Sequence, residues 1–181
     1  MKASRSVCAR RRGSEGLATV ATTTSGANFD LVRGLGADVV VDYRSEDFET
    51  IVREYDVVFD TLGGRTLERS IRVLRPGGTL IEIAGPPDPA FAEEIGASPI
   101  VALAIRLLSY RVRRMARRAR VRYSFLFMRP SGEQLREIGS LIDSGIIRPV
   151  VDRVFPFEST KDALAYVESG HAKGKVVVKV R

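Results

Sequence analysis

Hydroxyl and amide side chains gather at one point early in the chain, in the run Thr22-Thr-Thr-Ser-Gly-Ala-Asn28. The run contains no Asp or Glu, and Arg44 follows within the next twenty residues. Hydroxyl, amide and guanidinium groups donate hydrogen bonds to phosphate oxygens, whereas a carboxylate repels a phosphate. The residue types in this run therefore predict a site for a phosphate group.

The sequence offers little for metal or acid–base chemistry. Cys8 is the only cysteine and His171 the only histidine. A zinc site needs three or four clustered Cys, His or acidic ligands, so we expect no metal site, and one cysteine allows no intramolecular disulfide. No residue stands out as a general acid, and we assign no catalytic residue.

Short apolar segments alternate with helical patterns from residue 18 onward. This alternation is typical of a parallel sheet covered on both faces, so we predict an α/β fold with a doubly wound sheet. Residues 1–17 show no periodicity, and we expect them to be irregular. The predicted strands are 18–23, 38–42, 56–60, 78–84, 121–128 and 175–180, and the predicted helices are 27–35, 46–53, 66–74, 97–119, 132–144 and 160–169.

The ends of the first four predicted strands are rich in glycine and small polar residues. In a doubly wound sheet the ligand binds beyond the carboxyl ends of the strands, where the strand order reverses. Four such ends in register let phosphates or a ribose approach the backbone closely. The turns between strands and helices also need Gly and Ser for structural reasons, which would explain the same residues without a ligand. The four ends are residues 23–28, 42–44, 60–64 and 84–87.

The first of these ends also bears on which dinucleotide the fold would bind. Folds that prefer NAD usually place Asp or Glu there to accept hydrogen bonds from the ribose 2′-hydroxyl. The run from Thr22 to Asn28 has no acid. If a dinucleotide binds, the sequence therefore favours NADPH over NADH.

Several motifs in unbroken order resemble the quinone-oxidoreductase-like branch of the zinc-free medium-chain dehydrogenase/reductase superfamily. The resemblance covers about residues 18–181. It implies a Rossmann-like doubly wound sheet, incomplete at its N-terminus, in residues 18–147, and a C-terminal segment of the GroES-like catalytic domain in residues 148–181. The motifs are Ala21-Thr-Thr-Thr-Ser-Gly-Ala-Asn28, Leu35-Gly-Ala-Asp-Val-Val-Val-Asp-Tyr-Arg44, Phe59-Asp-Thr-Leu-Gly-Gly64, Leu74-Arg-Pro-Gly-Gly-Thr-Leu80, Ile146–Phe157 and Gly170–Val177.

The same resemblance implies a set of cofactor-binding residues. By position, two of them would hold the adenosine 2′-phosphate, an aromatic residue would lie beside it, and two loops would line the ribose and nicotinamide. The aromatic residue at position 127 could instead belong to the core, and the lysine at 173 could be a solvated side chain. The residues are Ser25, Asn28, Tyr43, Thr61, Leu62, Gly63, Ala84, Gly85, Phe127 and Lys173.

The resemblance further implies an NADPH-dependent oxidoreductase that transfers hydride to an activated carbonyl, such as a quinone or an enone. The partner would be a small-molecule substrate. Strand 121–128 resembles the edge through which relatives form homodimers, so we expect a homodimer. A cytoplasmic location is the default for a chain with a single cysteine.

The segment before Ala18 departs from the family pattern. Relatives have an apolar central strand there, followed by a Gly-rich turn that holds the pyrophosphate at a helix N-terminus. Residues 4–16 contain neither an apolar strand nor G-x-G-x-x-G. We therefore expect an N-terminally truncated product without the central strand and without the larger catalytic domain. Such a product would bind its cofactor weakly and expose unpaired strand edges.

The basic charge of the chain leaves an alternative open. The net charge is +7, and eight arginines lie between Arg106 and Arg122. On one helix, several of them would form a basic face that contacts nucleic acid or an acidic membrane, which would make the chain a non-catalytic interaction protein. A solvated helix face would explain the same pattern, so we expect no nucleic-acid partner. The apolar stretch 100–110 is too short to span a membrane, which needs about 20 residues.

Overall fold

The computed structural model describes residues 6–11 and 18–181. These residues divide into two compact units, one ending at Phe127 and the other running from Met128 to Arg181. Among the described residues, no helix has the length and apolar character that a membrane crossing requires.

The first unit is built on a six-stranded sheet with the order β3-β2-β1-β4-β5-β6. This is the strand order of a Rossmann-like fold, and every neighbouring pair that does not include β1 is parallel. The predicted α/β fold class is confirmed. The strands are β1 (Ser6–Arg11), β2 (Ala18–Thr24), β3 (Val39–Asp42), β4 (Tyr55–Asp60), β5 (Leu74–Glu82) and β6 (Arg122–Phe125).

Strand β1 occupies the centre of the sheet and runs antiparallel to both neighbours. Cys8 lies opposite Ala21 of β2 and opposite Val58 of β4. Only six residues separate β1 from β2. A parallel connection needs a dozen or more residues, so a link this short permits only the antiparallel arrangement. The expectation of an irregular segment 1–17 was therefore wrong for residues 6–11.

The presence of β1 also corrects the expectation of unpaired inner edges. Strands β2 and β4 both pair with β1 along its length, so neither presents a free edge on that side. The sequence of β1 gives little indication of a strand because it combines small residues with arginines. It forms a strand because the edges of β2 and β4 are available for pairing on either side.

Six helices accompany this sheet. The predicted helix 97–119 is two helices, because the chain breaks at Ser109. The Ser109 side chain is fully buried and donates a hydrogen bond to the carbonyl oxygen of Ile105 at 2.8 Å, a contact that bends helices. The helices are α1 (Phe29–Gly34), α2 (Phe48–Ile51), α3 (Gly64–Arg72), α4 (Pro89–Glu94), α5 (Pro99–Leu108) and α6 (Tyr110–Arg118).

The core lies between one face of the sheet and three of these helices. Apolar side chains from β2, β3, β4 and β5 meet side chains from α2, α3 and α6, and each buried aliphatic side chain stabilises the fold by about 1.5–3 kcal/mol. This packing fixes the positions of the strand ends, where the candidate site lies. Members of the core include Ala21, Val41, Val58 and Leu80 from the sheet and Phe48, Leu67, Ile71, Val112 and Ala116 from the helices.

The second unit contains α7 (Gly132–Asp143), β7 (Val151–Pro156), α8 (Thr160–Glu168) and β8 (Lys175–Lys179). Strands β7 and β8 are parallel and α8 connects them. Helix α7 has no buried side chain. The second unit begins at Met128, twenty residues before the domain boundary that the sequence suggested at residue 148. An amphipathic helix pattern does not reveal which neighbouring unit the helix will join.

Candidate functional site

Two of the predicted phosphate-binding side chains lie together beyond the carboxyl end of β2. Ser25 and Asn28 are 8% and 7% exposed. The Asn28 amide donates hydrogen bonds to the hydroxyl oxygens of Ser25 at 3.3 Å and Thr24 at 3.4 Å. Both contacts are long, so the amide and hydroxyl groups are oriented but can exchange these bonds for contacts to a ligand.

The end of β3 lies beside this group. The Tyr43 backbone N–H donates to the carbonyl oxygen of Thr24 at 3.2 Å, and the Arg44 guanidinium lies 5.9 Å from the centre of the Tyr43 ring. Asp42 accepts hydrogen bonds from the backbone N–H groups of Gly26 and Arg44, each at 3.0 Å. Sequence reasoning missed this carboxylate. The aspartate is separated from Gly26 by sixteen residues, and only parallel pairing of β2 with β3 brings them together.

A second group lies at the carboxyl end of β4. Asp60 is fully buried and accepts hydrogen bonds from the backbone N–H groups of Leu62 at 2.8 Å and Gly63 at 3.3 Å, and from the Ser70 hydroxyl at 3.0 Å. Burial raises the pKa of Asp60, although these three hydrogen bonds oppose the shift. Asp60 therefore shapes the turn that holds Thr61, Leu62 and Gly63.

The turn after β4 meets the loop after β5. Gly63 has φ of 66°, and a Cβ at this position would lie 2.9 Å from the carbonyl oxygen of Ala84. A Cβ on Gly85 would lie 2.7 Å from Cγ of Glu82. At Gly63 a side chain would meet the backbone of the facing loop, and at Gly85 it would meet the side chains of Glu82 and Leu67, so glycine fits best at both positions. The structure thus brings together the Thr61–Gly63 turn and the Ala84–Gly85 loop.

Glu82 is the residue of this region that sequence reasoning missed. Its side chain is fully buried at the end of β5, directly opposite Asp60. Oε1 accepts the backbone N–H of Ala84 at 2.8 Å, whereas Oε2 has no hydrogen-bond partner. An acid inside the apolar run Gly78-Thr-Leu-Ile-Glu-Ile83 was the available signal, since strands of a buried parallel sheet rarely contain one.

The environment of Glu82 makes its carboxyl group a weak acid. Burial, together with the negative charge of Asp60, raises the pKa of Glu82 to about 7, and backbone hydrogen bonds from Ala84, Gly85 and Ile83 oppose part of that shift. Near neutral pH this carboxyl group can therefore hold a proton.

Cys8 lies in the core below the two acids. It is 3% exposed and sits opposite Val58, two residues before Asp60 on the neighbouring strand. Burial, with a smaller contribution from the charge of Asp60, raises the pKa of Cys8 to about 12. The thiol is therefore protonated and a poor nucleophile. The described residues contain no group of three or more His, Cys, Asp or Glu side chains that could hold a metal ion.

The last two predicted residues are Phe127, at the end of the first unit, and Lys173, in the second unit. Phe127 is 58% exposed, and its ring centre lies 5.3 Å from that of Phe91, so the interpretation of Phe127 as a core aromatic was wrong. The strand it was assigned to ends at Phe125. Lys173 belongs to the second unit, where its side chain is exposed and its backbone N–H donates to Asp152 at 3.3 Å.

The direction of β1 decides what can face a pyrophosphate at this edge. Ser6, at the amino end of β1, lies opposite Asp60, and Arg11, at its carboxyl end, lies opposite Ala18. The chain therefore leaves β1 at the edge of the sheet opposite to the strand ends described above. A strand, Gly-rich turn and helix N-terminus arranged around a pyrophosphate are absent from the described residues of β1 and β2.

The residues of the site suit the 2′-phosphate and ribose of a dinucleotide better than its pyrophosphate. Ser25 and Asn28 offer hydroxyl and amide groups to a 2′-phosphate, and the glycines at 63 and 85 allow the backbone to approach a ribose. The family described as zinc-binding dehydrogenase matches residues 35–178, which include the second of these two groups and most of the sheet.

This chain belongs to the zinc-binding dehydrogenase family.

Two relatives of this chain indicate that it belongs to the medium-chain oxidoreductases. It is 32% identical over 166 residues to the NADPH-dependent alkenal/one oxidoreductase, chloroplastic, of Arabidopsis thaliana, and covers 34% of that protein. It is 33% identical over 164 residues to the NAD(P)H oxidoreductase RTN4IP1, mitochondrial, of Danio rerio, and covers 42% of it. These matches use 90% and 88% of the chain. The predicted relationship to zinc-free medium-chain reductases is confirmed at the level of the superfamily.

Solved structures agree with this assignment. The quinone oxidoreductase from Coxiella burnetii superposes with a TM-score of 0.68 at 27% identity, covering 90% of this family member and 45% of that chain. The chain therefore spans between a third and a half of the length of these relatives. Their full activities are those of longer proteins.

Proposed function

We propose that the chain is an NADPH-binding part of an oxidoreductase of the quinone or enone reductase type, which reduces an activated carbonyl substrate. The observation that carries the proposal is the turn after β2, which has no acid of its own and where Ser25 and Asn28 are buried and oriented by hydrogen bonds. The names of the Arabidopsis thaliana and Coxiella burnetii relatives support the reaction class.

Each residue group would have a defined part in binding. Ser25 and Asn28 would hold the 2′-phosphate, with the Arg44 guanidinium contributing positive charge and the Tyr43 ring lying beside it. The Thr61–Gly63 turn and the Ala84–Gly85 loop would line the ribose and nicotinamide. The bound nicotinamide supplies the hydride, and the protein has to position it and exclude water.

Glu82 would affect this site through the loop it supports. Its carboxyl group accepts the backbone N–H of Ala84 at 2.8 Å. With a pKa of about 7, the group would hold a proton at Oε2 in slightly acidic solution and lose it in slightly alkaline solution. Glu82 is thus a positioning residue for the Ala84–Gly85 loop.

The chain by itself should bind the cofactor weakly. The described residues offer groups for the 2′-phosphate and the ribose, but no Gly-rich turn for the pyrophosphate, because β1 runs in the opposite direction. Loss of several charge-assisted hydrogen bonds to the pyrophosphate would weaken binding by orders of magnitude. We therefore propose that hydride transfer by this chain alone is impaired.

A calorimetric titration with NADPH and NADH in parallel tests the proposal. We expect NADPH to bind at least tenfold more tightly than NADH. N28D should remove most of this preference, because a carboxylate would repel the 2′-phosphate and accept a ribose hydroxyl instead. S140D, at an exposed position of α7 in the second unit, adds the same charge and serves as the control.

Two outcomes would count against the proposal. Equal affinity for NADPH and NADH would remove the assigned 2′-phosphate site. A preference that S140D lowers as much as N28D would show that overall charge, and not the end of β2, decides the affinity.

A homodimer through strand 121–128 is part of the proposal. Strand β6 (Arg122–Phe125) is the outer strand of the sheet, so one of its edges is available to a second copy. The Phe125 backbone N–H donates to Asp88 at 3.1 Å, which leaves the earlier residues of the strand for pairing. We also propose a cytoplasmic location, although one relative is a chloroplastic protein and another a mitochondrial protein.

A further inference from the structure

A cavity of about 690 Å³ lies along the outer strand of the sheet, between α6 and β6. Its volume lies within the range of about 300–1,000 Å³ that is usual for small-molecule sites. It shares no residue with the Ser25–Asn28 group or with the Thr61–Gly63 and Ala84–Gly85 loops. Any ligand of this cavity would therefore be additional to a cofactor at the strand ends.

Three arginines line the cavity. Arg113 and Arg117 come from α6, one helical turn apart, and Arg122 is the first residue of β6. None of the three forms an ion pair with another residue that the structure describes. Their positive charges therefore face the cavity without a carboxylate to offset them, which attracts an anion.

Two arginines on α6 and α3 differ in this respect. Arg111 of α6 pairs with Glu68 at 2.8 Å. Arg72 of α3 pairs with Glu49 at 3.3 Å. Ion pairing is thus available to some arginines of the same unit, whereas the three arginines that line the cavity form none with other described residues.

The remaining wall of the cavity is partly apolar. Ala116 and Val121 are buried residues that line it, and the half-buried ring of Tyr123 lies beside them. Burial raises the pKa of Tyr123 far above its usual range, with further increases from the charges of Glu82, Asp88 and Asp60. The phenol therefore stays neutral and adds no negative charge. Ser124 contributes a hydroxyl group to the same wall.

We propose that this cavity binds an organic phosphate, with the phosphate held by Arg113, Arg117 and Arg122 and an apolar body packed against Ala116, Val121 and Tyr123. Guanidinium groups bind phosphate oxygens in pairs and in a fixed plane, so three of them around one cavity favour a phosphate over a neutral ligand. An apolar wall favours an ester with a hydrocarbon or aromatic group over inorganic phosphate.

The structure favours this ligand over a nucleic acid. The basic face considered for a nucleic acid places the arginines of 106–122 on one helix. The break at Ser109 places Arg106 on α5 and Arg113 and Arg117 on α6, and Arg111 is already paired with Glu68.

Calorimetric titration of the full chain with phenyl phosphate, inorganic phosphate and phenol tests the proposal. We expect phenyl phosphate to bind at least tenfold more tightly than either fragment. R113Q and R117Q should each weaken phenyl phosphate binding at least fivefold. R118Q removes the same charge from the exposed side of α6, outside the cavity, and should change the affinity less than twofold.

Three results would overturn the proposal. The first is inorganic phosphate binding as tightly as phenyl phosphate, which would mean that the apolar wall is not used. The second is an equal loss of affinity in R117Q and R118Q, which would mean that net charge alone attracts the ligand. The third is binding of a single-stranded oligonucleotide, but not of phenyl phosphate, with R106Q and R118Q weakening it as much as R117Q. Thermal unfolding of each variant confirms that it is folded.

Discussion

At the scale of single residues, the acid pair Glu82 and Asp60 is the least expected feature of the chain. The two carboxyl groups end neighbouring parallel strands and both are fully buried. Two neighbouring like charges in a buried site are unfavourable, so at least one of the groups is protonated over part of the physiological pH range. The fold therefore carries a carboxyl group whose charge depends on pH near neutrality.

Stability should fall as the pH rises through this range. The pKa of Glu82 is raised from 4.5 to about 7 in the folded protein, so folding favours the protonated form. The resulting stability is fully present below pH 4.5 and is lost as the pH rises through 7. Between pH 5 and pH 8 we expect a loss on the order of 3 kcal/mol in the free energy of unfolding, measured by urea denaturation.

E82Q should remove most of this dependence, because the amide is neutral at every pH. At pH 8 it should be more stable than the wild type by about 2 kcal/mol, and near pH 5 the two should be similar. E93Q, an exposed substitution in α4, is the matched control and should keep the dependence of the wild type. Parallel pH profiles for E82Q and the wild type would show that Glu82 is not the titrating group.

At the scale of elements, β1 is decisive, because it fills the centre of the sheet in the direction opposite to its neighbours. The pairing gives two free strand edges their hydrogen bonds and closes the core around Cys8. The same direction prevents a Gly-rich turn between β1 and β2 at the candidate site. One element thus stabilises the fold and limits cofactor binding.

Engineered disulfides test the register of β1. Residues opposite one another on antiparallel strands have Cα atoms about 4.5–5.5 Å apart, which suits a disulfide. Cys8 lies opposite Ala21 and Val58, so A21C and V58C should each form a disulfide with Cys8 when refolded in a glutathione buffer. Mass spectrometry and thiol titration measure the yield.

T19C is the control for this experiment. Thr19 lies on the same strand and the same face as Ala21, but opposite Arg10. It should therefore form little disulfide with Cys8. Equal yields for T19C and A21C would contradict the antiparallel register, and a failure of both A21C and V58C would contradict the central position of β1.

At the scale of the whole molecule, the outer strand β6 decides how copies of the chain would associate. A two-fold axis beside β6 would pair two copies as antiparallel strands, and the central position of Ser124 would place it near its symmetry mate. S124C should therefore form a covalent dimer on mild oxidation, seen on a non-reducing gel and by sedimentation velocity. The native Cys8 should contribute no background, because it is buried with a pKa of about 12.

S140C places a thiol on the exposed surface of α7 and is the matched control. It should remain monomeric under the conditions that cross-link S124C. A wild-type chain that sediments as a monomer at high concentration, together with no cross-linking of S124C, would refute the dimer through β6.

The sequence predicted much of the fold because its signals are local. Apolar segments predicted the strands from β2 to β5 and the helices between them. Glycines predicted where helices end: Gly36 has a φ of 100° and follows the end of α1, as expected. The grouping of Ser25, Asn28 and Tyr43 also followed, because carboxyl ends of parallel strands meet at one edge. The break of the helix at Ser109 was not predicted, because the sequence does not show which serine in a helical pattern will be buried.

The sequence by itself determined the family, the parallel α/β sheet and the acid-free strand end, because each depends on residues that are neighbours in the chain. Only the tertiary structure decided the direction of β1, the burial of Glu82 beside Asp60 and the placing of three arginines around one cavity. These features depend on which distant segments become neighbours. Strand pairing and core packing determine that choice, and a local sequence pattern does not encode it.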